Sequence, residues 1–138
     1  MAGIVSWHDT YSIGIEVLDE QHQKLFEYLG SYYESLVACQ EGGVTKDVTK
    51  SMLNNLIEYA KYHFQEEEKF MNSIKGVDFS LHFEEHKEFC SKVASFKAKV
   101  FLGTNISYEL VDFVKNWLLT HIMLSDQKLG KAYKDSLL

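Results

Sequence analysis

Histidine recurs in this chain where an amphipathic helix places core residues. His63 and Glu67 stand four residues apart, and so do His82 and His86. Four residues is slightly more than one helical turn, so the members of each pair share a face. His22 and His121 lie far away in sequence, each inside its own apolar-periodic segment. A bundle of four helices can aim all five histidines and the carboxylate at one point, and the rest of the chain reads as scaffold for that point.

The periodicity divides the chain accordingly. A first helix is expected from about Asp19 to Ala38, with Leu18, Leu25, Leu29, Tyr32, Leu36 and His22 on one stripe. Gly42-Gly43 reads as a turn. A second helix starts near Thr45 as N-cap and runs to about Ile74, before Gly76. Its stripe is Met52, Leu56, Tyr59, His63, Glu67, Phe70 and Ile74. A third runs from near Asp78 to about Leu102, with Gly103 as the stop. Its stripe carries His82, His86, Phe89, Val93, Phe96 and Val100. A fourth starts near Ser107, a further N-cap candidate, with Leu110, Phe113, Trp117, His121 and Leu124 facing inward. The expected fold is all-α: an antiparallel up-down-up-down four-helix bundle in a single domain over 1–138. An ordered N-terminal arm occupies 1–17, the bundle about 18–127 and a tail 128–138.

Depth along such a bundle is informative. His22 lies near the start of an up helix, and His63 and Glu67 near the end of a down helix. His82 and His86 start the next up helix, and His121 and Asp126 end the last down helix. All seven groups fall at one end. Scattered core histidines would have no reason to do so.

Composition excludes several classes. The chain has no proline and only eight glycines, which favours long helices. Its net charge is −6 and it contains no arginine, so a nucleic-acid partner is not expected. The acidic balance suits a soluble cytoplasmic protein. Cys39 and Cys90 form no CxxC pair and are expected to be reduced thiols. No stretch reads as a secretory leader, and no apolar run approaches the ~20 residues of a membrane span.

Burying five unpartnered imidazoles would cost a few kcal/mol each. A shared metal removes that cost, because neutral imidazole nitrogen is a good ligand. Five imidazoles and two carboxylates exceed one tetrahedral zinc, and a magnesium or calcium site would take oxygen ligands. Two iron ions bridged by carboxylates use this set best.

The residues Asp19-Glu20-Gln21-His22, His63-Phe64 with Glu67-Glu68 and Met71, His82 and His86, and Trp117-Leu118 with His121-Ile122 and Asp126 occur in that order. With Trp7, Tyr11 and Gly14 in the arm, the chain resembles the hemerythrins, specifically the single-domain bacterial ones, over nearly its whole length. HxxxE alone is weak; the ordered set is strong. The resemblance implies reversible dioxygen binding at a non-haem di-iron site, for oxygen storage, delivery or sensing. It implies that His82, His86 and His121 hold one iron and His22 and His63 the other, with Glu67, Asp126 and an oxo or hydroxo group bridging. The iron with fewer histidines keeps the open position. By the same resemblance Leu25, Phe64, Trp117, Leu118 and Ile122 line the dioxygen pocket, and small anions such as azide compete there.

Two departures stand out. Leu129 follows Asp126 by three residues, where many relatives carry tyrosine, so a hydrogen bond near the site is expected to be missing. His121 and Asp126 are five residues apart, about 140° around a regular helix. A π-type turn or a break between them is therefore expected. His8 is expected in the arm surface, Glu66 and Glu68 on solvated faces, with contact to a histidine of the cluster as the lesser reading, and Tyr28, Tyr32, Tyr33, Tyr59 and Tyr62 packing around the core. A carrier is favoured over a di-iron enzyme, since ferritin-like oxygenases use carboxylate-rich Glu-x-x-His sets. An iron store or a structural metal site is a third reading, disfavoured by the open position. A free-standing monomer is expected in preference to a module of a larger receptor.

Overall fold

A computed structural model describes residues 6–103 and 105–138. Four long helices dominate: α1 (Glu16–Gln40), α2 (Lys46–Ser73), α3 (Ser80–Phe101) and α4 (Ser107–His121). A π-helical segment, Ile122–Asp126, follows α4 directly and leads into α5 (Gln127–Ser136). Each long helix packs on two others, α1 and α3 each lying between α2 and α4. The directions alternate, because the early residues of α1 and α3 meet the late residues of α2 and α4. This is the antiparallel four-helix bundle, all-α, that the stripes predict.

Local signals set several boundaries. The Val48 N–H donates to the Thr45 hydroxyl at 3.3 Å, so Thr45 is the N-cap of α2. Ser107 is instead the first residue of α4, with Ile106 in the cap position and no capping side chain. Asp78 accepts from the Ser80 N–H at 2.9 Å and organises the start of α3. Gly76 and Gly103 have φ of +81° and +92°, the left-handed conformation that ends a helix at little steric cost.

The core is the sum of the stripes. Leu18, Leu25, Leu29, Tyr32, Leu53, Leu56, Leu110 and Leu118 are buried. Burying one such side chain is worth ~1.5–3 kcal/mol, so the stripes dominate the stability of the bundle. Tyr62, expected to pack, is 48% exposed, because it precedes the inward His63 by one position. Leu124, placed on the fourth stripe, is 67% exposed. The π segment rotates the chain after His121, so that Ile122, Asp126 and Leu129 face inward.

The expected tail at 128–138 is also different. Most of it is helix α5, and Leu129 and Gly130 within it are buried. The arm and α5 hold each other. The Gln127 side-chain amide donates to the Ser12 carbonyl at 3.0 Å. Asp19 accepts from the Ile13 N–H at 2.9 Å and the Ser12 hydroxyl at 2.5 Å, which anchors the arm to the first turn of α1. Trp7, Tyr11 and Phe26 pack within 5.8–6.2 Å of one another, Tyr11 edge-on to the other two rings. A Cβ at Gly130 would overlap the Ile13 carbonyl oxygen, so this crossing requires glycine.

Gly130→Ala is therefore expected to lose ~1–3 kcal/mol from overpacking, read as a lower thermal midpoint. Gly30 in α1 has open space around its Cβ position. Gly30→Ala is expected to gain ~0.5–1 kcal/mol in the same melt, through helix propensity alone.

Candidate metal centre

At one end of the bundle, seven polar side chains are sealed from water. His22, His63, Glu67, His82, His86, His121 and Asp126 are each at most 5% exposed. Each helix contributes on the stripe that its apolar residues define. α1 carries His22, α2 His63 and Glu67, α3 His82 and His86, and α4 His121. Asp126 reaches the same point from the π segment. In that wider turn the angular offset of a five-residue spacing is absorbed, so His121 and Asp126 both face inward.

The donors sort into two groups that share the carboxylates. Glu67, His82, His86, His121 and Asp126 converge on one point, and His22, His63, Glu67 and Asp126 on a second. Glu67 Oε1 lies 2.8 Å from His86 Nε2, and Oε2 lies 3.0 Å from His63 Nε2 and 3.2 Å from His22 Nε2. Asp126 Oδ1 lies 3.0 Å from His82 Nε2 and 3.2 Å from His121 Nε2, and Oδ2 lies 3.1 Å from His22 Nε2. Each carboxylate thus gives one oxygen to each group.

The proton positions make the convergence consequential. His63 Nδ1 donates to the Gln21 side-chain oxygen at 2.7 Å. His86 Nδ1 donates to Glu68 Oε2 at 2.9 Å, and His121 Nδ1 donates to Glu85 Oε1 at 2.9 Å. An oxygen acceptor at Nδ1 places the proton there and leaves Nε2 a bare lone pair. His121 Nε2 nevertheless lies 3.0 Å from His82 Nε2 and 3.1 Å from His86 Nε2. Neither Asp126 oxygen accepts an aligned hydrogen bond. Lone pairs facing lone pairs in a dry cluster are satisfied by a cation, and the donor set fits two of them.

Without metal, protons must take that role. Burial disfavours the imidazolium at His22, but the Asp126 and Glu67 carboxylates, 3.1 and 3.2 Å from its Nε2, outweigh it and raise the group from 6.5 to about 9. Burial likewise opposes charge at His121, and the Asp126 carboxylate, then Glu67, lift it to about 10. His82 moves up for the same reasons. His63 moves down, because burial there prevails. Burial also pushes Glu67 and Asp126 up, yet the surrounding histidines hold both carboxyls well below their usual range.

Aromatic rings close the three-histidine side. Phe64 stacks on His86 at 4.1 Å, and Trp117 stacks on His121 at 4.3 Å. Leu25, Phe64, Leu118 and Ile122 are buried and Trp117 is partly buried. Leu129 is fully buried, and in place of a hydroxyl it brings only methyl groups to the turn after Asp126. His8 is exposed in the arm, as expected.

Glu66 pairs with Lys69 at the surface, at 2.7 Å. Glu68, expected on a solvated face, instead reaches across to α3 and holds His86. Gln21 enters the sequence reading only as part of the Asp19-Glu20-Gln21-His22 motif, with no role assigned, and Glu85 is assigned none either. Each directly precedes a histidine of the cluster, yet serves a histidine on another helix, and the residue order carries no signal of that.

With the geometry in hand, comparison with known proteins is decisive. The family "Hemerythrin HHE cation binding domain" matches residues 13–133. This chain belongs to the hemerythrin family. A bacteriohemerythrin of Clostridium acetobutylicum is 37% identical over 125 residues, 88% of this chain and 95% of that protein. A myohemerythrin of Theromyzon tessulatum is 30% identical over 88% of each chain. A crystal structure of wild-type hemerythrin superposes with a TM-score of 0.82 at 23% identity, over 94% of this chain and 98% of that one, which shows the shared fold. Hemerythrins bind dioxygen reversibly at a non-haem di-iron site, and the histidine and carboxylate cluster of this chain is compatible with that centre.

For metal-free protein the pH dependence follows in sign. The charge on His22 and His121 contributes stability that is full below about 6.5, their ordinary value, and is lost as pH rises through about 9 and 10. The depressed carboxyls contribute stability that is present above their ordinary range and lost as pH falls. Metal-free protein is therefore expected to melt several degrees lower at pH 10.5 than at pH 7. Iron-loaded protein, whose imidazoles are already neutral ligands, is expected to lose much less, as followed by circular dichroism.

Proposed function

We propose that His82, His86 and His121 hold one iron, that His22 and His63 hold the other, and that Glu67 and Asp126 bridge them. The observation that carries this assignment is the splitting of each carboxylate between the two groups, one oxygen toward the three-histidine group and one toward the two-histidine group. The two-histidine iron then has one protein ligand fewer and is the position for dioxygen, with azide as its competitor. When bound, such an iron pair supplies a reversible two-electron exchange with dioxygen.

The protein's own residues make that exchange reversible. Gln21 fixes the His63 ring through Nδ1. Glu68 and Glu85 fix His86 and His121 in the same way. Leu25, Phe64, Leu118 and Ile122 exclude water from the pocket, with Trp117 behind them on His121. A dry site slows loss of reduced oxygen and conversion to the inactive ferric form.

The reading is a carrier or store of dioxygen and not an enzyme. Site residues no more than 5% exposed are closed to solvent, which favours a diatomic molecule or a small anion over an organic substrate. The acidic charge balance and the two free cysteines favour a cytoplasmic setting. None of the described helices is long and apolar enough to cross a membrane.

Optical spectra decide between carrier and enzyme. Reduced protein is expected to colour in air, bleach under argon and repeat the cycle, with azide suppressing the change. Leu118→Ala is expected to hasten autoxidation several-fold while leaving iron content near two per chain. Steady dioxygen consumption with a reductant, over many turnovers per site, would replace the carrier reading with an oxidase. Glu67→Ala is expected to lose iron to a chelator far more readily than Glu66→Ala. Equal retention would place the bridge elsewhere.

A further inference from the structure

The two iron positions differ in more than their number of histidines. The residues that accept from the distal nitrogens differ in charge. On the three-histidine side, His86 Nδ1 and His121 Nδ1 each donate to a carboxylate, Glu68 and Glu85, both at 2.9 Å. On the two-histidine side, His63 Nδ1 donates to the neutral amide oxygen of Gln21 at 2.7 Å. His22 Nδ1 is buried and has no hydrogen-bond partner among the described residues. The tally is two anionic acceptors against one neutral acceptor.

The acceptors are well placed to matter. Glu85 Oε1 also accepts from the Ser125 hydroxyl at 2.5 Å, so the π segment that delivers Asp126 also pins Glu85. Glu68 reaches its histidine from α2 to α3, next to the bridging Glu67 but on the opposite side of the imidazole ring from it. A carboxylate accepting from Nδ1 pulls the proton toward itself and makes Nε2 a stronger, more anionic donor. A stronger donor favours the more highly charged metal. An amide oxygen fixes the ring with much less of that effect.

We propose that Glu68 and Glu85 are positioning residues that bias the three-histidine iron toward the ferric state, while Gln21 leaves the two-histidine iron without that bias. The inference rests on the di-iron reading above. Its consequence is an ordered loss of electrons. On one-electron oxidation of the diferrous protein, the three-histidine iron gives up its electron first, and the iron that meets dioxygen stays ferrous. The added charge acts through the imidazole ring, so it needs no contact between either glutamate and the metal.

Anaerobic mediated redox titration of the iron-loaded full chain tests this, with iron content and circular dichroism measured on every variant. E68Q and E85Q keep an acceptor oxygen of nearly the same shape and remove only the charge. Each is expected to retain two irons and to shift the first ferric–ferrous equilibrium about tenfold toward ferrous iron, ~59 mV for a one-electron couple. Q21E adds a charge on the other side and is expected to shift its iron toward the ferric state, narrowing the gap between the two steps. E66Q, whose parent residue pairs with Lys69 at the surface, is the control and is expected to leave both steps in place. Titrations of E68Q and E85Q that match E66Q would overturn the proposal. So would variants that lose iron without moving the potential, since the glutamates would then serve only to hold the rings. If the wild-type chain itself fails to load two irons, the di-iron reading falls first and this inference falls with it. Two irons with unmoved potentials would remove this inference alone.

Discussion

The structure depends on two carboxylates buried among five imidazoles. Glu67 and Asp126 have no exposure to water, and among the nitrogens they face, those of His63, His86 and His121 have their protons held on the far side of the ring. Neither hydrophobic packing nor a hydrogen bond can satisfy such a cluster; positive charge can. Protons supply it in part, which is why His22 and His121 hold theirs well above the ordinary range. Two metal ions supply it fully. The apolar stripes on either side keep water from competing, so the same residues that stabilise the bundle also keep the cluster dry.

The bundle is built around that end. α1 and α3 start at it and α2 and α4 end at it, so each helix needs to place only one or two polar residues on its stripe. The burden on α4 is greatest, because it must supply His121 and the chain must then supply Asp126. The π segment resolves this by changing the helical rise and phase for one turn. The same change exposes Leu124 and buries Leu129. Beyond it, α5 returns along the arm and is pressed against Ile13 at Gly130, where no side chain fits. The arm, anchored by Asp19 three residues before His22, thereby closes the region beside the cluster.

Around the ligands lies a less regular layer. Gln21, Glu68 and Glu85 each sit beside a cluster residue in sequence but act on a histidine of a different helix. The cluster residues determine which metals can bind. This surrounding layer holds the rings, with a carboxylate on His86 and on His121 and an amide oxygen on His63.

By itself the sequence determined the four helices, their order of direction and the inward place of His22, His63, Glu67, His82, His86 and His121. The reason is that helical periodicity is local: a spacing of three or four residues sets a face wherever the helix forms. The five-residue offset between His121 and Asp126 also announced a distortion, since no regular helix accommodates it. The tertiary structure alone decided the rest. Glu68 looked like surface because its own helix turns it away from the core; only the arrival of α3 gives it His86. The roles of Gln21 and Glu85 likewise depend on which helix arrives beside them, α2 with His63 for Gln21 and α4 with His121 for Glu85. The helix in the C-terminal segment, and its contact with the arm, arise from chain regions more than a hundred residues apart, as Gln127 on Ser12 shows. Periodicity states where a side chain points, and the fold decides what it meets there.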